Sequence, residues 1–415
     1  MTRGPNSGLR IAIIQESIDA RRGGAETSVL EMAAALAAEG VEPTIVFNAG
    51  PDGDAQRPAR DGVRFRGLTP PRGLTRVQLA RWYVAGVCEF LDQTPFDVVH
   101  AITPHPRADV YQPRGGTLAE TIERSIARVR APLPRLLKRI GRFFHAKQRY
   151  LDRLERAMFD SSRPPTVAAV SDYVRRQVIE RHPKMRDRVH IVFNGVNVER
   201  LRCGDPAALR AATRVKLGLS PDERVVLFVA HNFKLKGLPE LIRAVAMSHS
   251  AGATPWKLLI AGRDDSRPYE RAAAVQGVSG RVRFIGASHA MRGLYAAADA
   301  LAHPTWYDPC SRVVLEALCC GLPVVTTRWN GAAEAMTPGR HGALIDSPDD
   351  IEALAREITA ALREDIRAAC ATDAGVFRER LSMRRHAKEL IAVFTRRERL
   401  SKLSAVFKGR PSNPN

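Results

Sequence analysis

The 415-residue chain carries 64 Lys+Arg against 44 Asp+Glu, a net charge of +20, with 45% hydrophobic and 26% charged residues. That length suits about two domains, and the composition is globular, which excludes wholesale disorder and fibrous repeats. The charge surplus asks for an anionic partner: nucleic acid, a lipid surface or a phosphorylated substrate.

No run approaches the ~18 apolar residues of a membrane-spanning helix. The short apolar run ending at Gln15 and Glu16 is too brief for a signal-peptide core. Cys88, Cys203, Cys310, Cys319, Cys320 and Cys370 show neither zinc nor disulfide spacing. The adjacent pair Cys319 and Cys320 reads as small apolar filler on a buried helix. These features predict a cytosolic, reduced protein.

In chain order, Arg10–Ile14 reads as a strand and Glu26–Glu39 as a helix, with Val29, Leu30, Met32, Ala33 and Leu36 supplying a 3.6-residue period. Further strands are expected at Thr44–Phe47, Val63–Phe65, Asp97–Ile102, Val167–Ser171 and Val189–Phe193. A second series follows at Arg224–Ala230, Lys257–Ala261, Val282–Gly286, Ala300–His303, Pro323–Thr326 and Gly342–Ile345. Such alternation predicts an α/β protein with two doubly wound parallel sheets. The polar stretch Leu201–Pro221 marks the seam, giving domains over 1–205 and 206–385 and a C-terminal helix with a basic tail over 386–415.

A basic insertion over 121–150 interrupts the first series. Between Thr121 and Tyr150, Arg and Lys recur with Leu133, Leu136, Leu137, Ile140, Phe143 and Phe144 at near-helical spacing. This pattern fits an amphipathic helix on an anionic membrane surface, or a solvated helix packed on its own domain.

Chemistry is expected in the loops after strands. Gly23 and Gly24 precede the first helix, where glycine serves either a tight turn or close approach to an anion. His303–Gly321, HPTWYDPCSRVVLEALCCG, places Asp308 eight positions before Glu316 across a loop-to-helix junction. Amides at that helix start suit a diphosphate, and a carboxylate further along suits a ribose. HNFKLKG places Lys234 and Lys236 after the first strand of the second half, as point cations for phosphate. No third acid or histidine stands at ligand spacing, so no metal is expected.

These pieces resemble the retaining GT-B glycosyltransferases of family 4 over about Arg10 to Ile391. They are RGGAET, VAAVSDYVRRQVIERH, VHIVFNGVNVERL, HNFKLKG, KLLIAGRD, the run from VRFIGAS to GLPVVTT, NGAAEAM and HGALID. The resemblance implies two Rossmann-like domains facing across a cleft, the first for acceptor and the second for nucleotide-sugar. It assigns Lys236 to the donor phosphates, Glu316 to the ribose, and Asp308 to the transferred sugar. The Arg312 and Val313 amides would meet the distal phosphate, and Gly24 one side of the cleft.

The chain departs from the pattern in three respects. Asp308 stands for the usual Glu, with a reach shorter by one methylene, and Ser311 for a common glycine, where close backbone approach is less free. Ala230 and His231 stand where an arginine is usual, with Lys234 as the replacement charge. ADVYQPRGG, the insertion and LDRLERAMFD are similar to the lipopolysaccharide core glucosyltransferase branch.

The resulting expectation is a hexosyltransferase moving glucose from UDP-glucose to a glycolipid acceptor, peripheral on the inner face of the cytoplasmic membrane. It would need no cofactor beyond its donor and no metal. His105 and Asp109, after the Asp97–Ile102 strand, are the candidates for positioning acceptor. The alternatives are a family 4 transferase using GDP-mannose or another donor and acceptor, or a basic nucleic-acid-binding protein. With 6% aromatic residues and no nucleic-acid motif, the last is disfavoured and no nucleic acid is expected.

Overall fold

A computed structural model describes residues 8–19, 24–53, 61–128, 146–250, 255–288 and 290–408. The chain divides into two compact units. The first runs to Phe193 and resumes at Met383; the second holds Asn194–Ser382 and Glu123–Arg128.

The first unit contains β1 (Arg10–Ile14), α1 (Gly24–Ala38), β2 (Glu42–Asn48), β3 (Arg64–Leu68), α2 (Arg76–Gln93), β4 (Val98–Ala101) and β5 (Val110–Tyr111). After α3 (Leu118–Ala127), whose last residues belong to the second unit, come α4 (Ala146–Phe159), β6 (Thr166–Ala169), α5 (Asp172–Arg181) and β7 (Val189–Ile191). The seven strands are all parallel, in the order β3-β2-β1-β4-β5-β6-β7. Ile11, Ala12, Ile13 and Ile14 are all fully buried, as expected of a strand covered on both faces rather than one. Local signals set the helix starts: Thr75 and Gln78 form a reciprocal capping box at α2, and the Ser171 hydroxyl accepts from the Val174 N–H at α5.

The second unit contains α6 (Pro206–Lys216), β8 (Arg224–Val229), α7 (Leu238–Ser250), β9 (Trp256–Ala261), α8 (Arg267–Val275), β10 (Val282–Phe284) and α9 (Met291–Ala297). It continues with β11 (Ala300–His303), α10 (Arg312–Cys319), β12 (Val324–Thr327), β13 (Gly342–Ile345), α11 (Ile351–Ala361) and α12 (Glu364–Arg380). Its sheet, again all parallel, has the order β10-β9-β8-β11-β12-β13. At the foot of β11 the buried Asp299 carboxylate accepts from Arg210 (2.7 Å), Arg214 (2.9 Å), Arg367 (3.0 Å) and the Val225 N–H (2.8 Å), joining α6, α12, β8 and β11.

Both expected sheets are present, but the boundaries differ from the sequence expectation. The second unit begins at Asn194 because that residue's amide donates to the Cys310 carbonyl (3.1 Å) and the Val196 N–H to the Leu381 carbonyl (2.9 Å). The chain returns to the first unit through α13 (Met383–Lys408), where Met383, Ala387, Leu390, Ile391 and Phe394 join the first hydrophobic core against α1. β5 went unrecognised, since two residues carry no alternation to read. The centre of the amphipathic insertion, 129–145, lies outside the described residues, as does Gly23. No helix among the described residues is long and apolar enough to cross a membrane.

Candidate active site

The site is built from loops after β8, β11 and β12 of the second unit, at the carboxyl ends of parallel strands. The Asp264 carboxylate, after β9, accepts from the Phe233 N–H (2.8 Å) and steadies the β8 loop. Gly237 has φ +84°, and a Cβ there would stand 2.0 Å from the Pro304 carbonyl oxygen. Only glycine meets both the left-handed backbone and that approach.

This turn delivers Lys236, whose ammonium donates to Asp308 Oδ2 (2.7 Å) and to the Tyr307 carbonyl (3.0 Å). Burial pushes the Asp308 carboxyl up, but Lys236 and His303 outweigh it and hold it well below the usual carboxylate range. Asp308 is therefore ionised at neutral pH. His303, the last residue of β11, is buried and lies 3.7 Å from Asp308 Oδ2 and 3.4 Å from Ser311 Oγ. Burial lowers its pKa, so the imidazole is neutral.

The β11 and β12 loops form one hydrogen-bonded platform. The Asp308 N–H donates to the Trp329 carbonyl (2.9 Å) and the Gly331 N–H to the Asp308 carbonyl (3.0 Å). Asn330 Oδ1 accepts from the N–H groups of Ser311 (3.2 Å) and Ala332 (3.1 Å), while its amide donates to Thr326 Oγ1 (3.0 Å). Above this platform α10 begins. Ser311 is its N-cap residue, yet its hydroxyl turns toward His303 and makes no side-chain cap. The first-turn amides, Arg312 and Val313 among them, therefore present the positive helix end without a Ser311 cap.

One turn on, Glu316 accepts at Oε2 from the Tyr295 hydroxyl (2.8 Å) and at Oε1 from Arg312 Nη2 (3.3 Å). Lys234 is exposed on the β8 loop. Lys236, Asp308, Ser311, Arg312, Val313 and Glu316 thus share one neighbourhood of loop and helix start. It combines a cation, helix-start amides and a held carboxylate, a set able to bind a ribonucleoside diphosphate. Among the described residues no group of three His, Cys, Asp or Glu side chains is placed to hold a metal ion.

The first-unit candidates have other duties. His105 is buried; its Nδ1 accepts from the Arg107 N–H (3.2 Å), so Nε2 carries the proton and points at the Val84 carbonyl (3.3 Å). Asp109 Oδ2 accepts from the Val99 N–H (2.9 Å). His105 ties its loop to α2 and Asp109 ties it to β4, and a histidine ring with both nitrogens engaged internally has no free base for the acceptor role expected of it. Gly24 opens α1.

Sequence reasoning missed Tyr295, His303 and Asn330 as parts of the site. Tyr295 lies before an expected strand, His303 ends one and Asn330 follows one, but none belongs to the Asp-x7-Glu spacing that drew attention.

The Glycosyltransferase Family 4 profile matches residues 22–200, and the Glycosyl transferases group 1 profile matches 210–375. This chain is a GT-B glycosyltransferase. The transferase is 27% identical to the lipopolysaccharide glucosyltransferase WaaG of Escherichia coli K12 over 282 residues, 68% of this chain and 72% of that one. It is 34% identical to the D-inositol 3-phosphate glycosyltransferase of Nocardia farcinica over 179 residues, 41% of this chain and 39% of that one. The fold matches a crystal structure of WaaG with TM-score 0.76 and 23% identity, covering 93% of this chain and 99% of that one.

Proposed function

We propose that this transferase moves a hexose, glucose by first expectation, from a UDP-sugar to a lipopolysaccharide-core or related glycolipid acceptor at a membrane surface, with retention at the anomeric carbon. The observation that carries the donor half is the Lys236–Asp308 pair at 2.7 Å beside the α10 start, with Glu316 one turn further. In the reaction the C1–phosphate bond breaks and the acceptor oxygen bonds C1 on the same face. The acceptor proton passes to the departing phosphate oxygen. Lys236 and the α10 amides oppose the charge growing on that diphosphate, usually the largest stabilising contribution in such a site. Asp308 holds the ammonium in place until the donor enters.

The likeness to WaaG and the net charge of +20 support an anionic glycolipid acceptor. The match to the D-inositol 3-phosphate glycosyltransferase favours a second reading, another donor with a small phosphorylated acceptor. Nucleotide release across UDP- and GDP-sugars separates the two, run with deacylated lipopolysaccharide core and with D-inositol 3-phosphate. Preferential UDP-glucose turnover with core acceptor is expected, lost in Lys236→Ala and Glu316→Ala at intact folding. Turnover surviving both substitutions rejects the site.

A further inference from the structure

Glu316 is held from a neighbouring helix. Tyr295 stands on α9, which precedes β11, whereas Glu316 stands on α10, which follows it. The phenol is only 2% exposed, and its hydroxyl donates to Glu316 Oε2 at 2.8 Å. Arg312, one turn before Glu316, occupies the other oxygen at 3.3 Å. An ionised carboxylate offers about four acceptor directions. Tyr295 and Arg312 place a donor on each oxygen, which restricts how the carboxylate can turn. A glutamate with three rotatable bonds is thereby limited to one presentation, and the entropy of ordering it is lost on folding rather than on binding.

Burial gives the contact its strength. The Tyr295 phenol stays protonated because burial and the adjacent Glu316 carboxylate raise its pKa well above the ordinary value. It is therefore a permanent donor, and Glu316 has a permanent partner whether or not a nucleotide is present. A phenylalanine would fill the same space without holding the carboxylate.

We propose that Tyr295 is a positioning residue for nucleotide recognition, acting through Glu316 to make the site select a ribose diol over a sugar that lacks it. The inference rests on the proposed donor site, in which Glu316 accepts from the ribose hydroxyls. It adds that selectivity belongs to a Tyr295–Glu316–Arg312 unit spanning two helices, and not to Glu316 alone.

The test measures Kd for UDP and for 2′,3′-dideoxy-UDP by calorimetry on the full chain, with the guanosine pair run in parallel. Wild type, Tyr295→Phe and Glu316→Gln are compared. Wild type is expected to prefer the ribose form of one pair by about 100-fold, the worth of one or two hydrogen bonds to a charged group. Tyr295→Phe should reduce that preference about tenfold by weakening ribose binding, with Kd for the dideoxy compound unchanged. Glu316→Gln should reduce it at least as far.

The dideoxy measurement doubles as a folding control, since a damaged fold weakens both ligands together. If Glu316→Gln loses the preference and Tyr295→Phe keeps it, the positioning role is overturned and the ribose reading stands. If Glu316→Gln also keeps it, or wild type shows no preference in either pair, both fall. Equal weakening of both ligands in Tyr295→Phe assigns the phenol a packing role and overturns the proposal.

Discussion

Mild acid should destabilise the first unit through three buried histidines. His100, on β4, has neither ring nitrogen hydrogen-bonded and packs its ring 5.3 Å from that of Phe394. His105 spends both nitrogens within its loop. His386, on α13, sets Nδ1 against the Phe193 carbonyl (2.8 Å), which leaves Nε2 to accept from Arg114 (3.2 Å). None can take a second proton without losing a partner or placing a bare charge among apolar atoms. Burial accordingly lowers His100 from 6.5 to about 3 and His105 to about 4; burial and Arg114 take His386 well below 6.5.

A lowered histidine pKa stabilises the fold fully above the unfolded value and loses that stability as pH falls below it. At pH 5, about 1.5 units under the unfolded value, His100 and His105 each cost about 2 kcal/mol, or about 4 kcal/mol together, and His386 acts in the same direction. Glu155 works the other way. Burial raises its carboxyl from 4.5 to about 7, with the Tyr111 hydroxyl at 2.7 Å, so acidification favours the fold as the buried group protonates. Between about pH 7.5 and pH 5 it returns about 2 kcal/mol. The net loss, about 2 kcal/mol before the contribution of His386, is a sizeable share of a typical ~5–15 kcal/mol stability.

Trp82 is the one tryptophan in the first unit. Urea titrations followed by its emission, with Trp256, Trp306 and Trp329 replaced by Phe, read that unit alone. His100→Leu should cut the acid loss by about 2 kcal/mol. A first unit as stable at pH 5 as at pH 7.5, or a His100→Leu variant with the wild-type slope, refutes the reasoning.

Lys236→Ala should lower kcat by about 10²–10³-fold in steady-state assays with the preferred donor, the usual loss for one charge-stabilising donor. Asp299→Asn removes the carboxylate from three guanidinium groups and should cost about 3–5 kcal/mol, seen calorimetrically as a Tm about 6–20 °C lower for the second unit. Gly237→Ala must strain φ +84° or move the Pro304 carbonyl, so it should impair donor binding in titrations while Gly277→Ala, also at positive φ but with open space around it, should not. Replacing Lys138, Arg139 and Arg142 with Glu should weaken flotation with anionic liposomes about 100-fold, at about 1 kcal/mol per basic residue near a membrane surface. Unchanged flotation counts against the membrane reading.

The sheets were legible because buried parallel strands are short apolar runs, and Arg10–Ile14, Ala300–His303 and Gly342–Ile345 fall where that pattern predicts. The Asp-x7-Glu spacing and Lys236 were legible for a related reason: strand ends and helix starts lie close in sequence, so their loops carry the chemistry in local letters. What α13 covers was not legible, since a helix 190 residues beyond β7 can rejoin either core and its apolar period is the same in both cases. Nor were the roles of His105 and Tyr295. A loop histidine becomes a base or a brace according to whether its nitrogens face solvent or the Val84 carbonyl, and a helical tyrosine becomes filler or a carboxylate's holder according to what stands 2.8 Å from its oxygen. Periodicity and spacing are properties of neighbours along the chain; hydrogen-bond partners are chosen in space, and only the tertiary structure decides them.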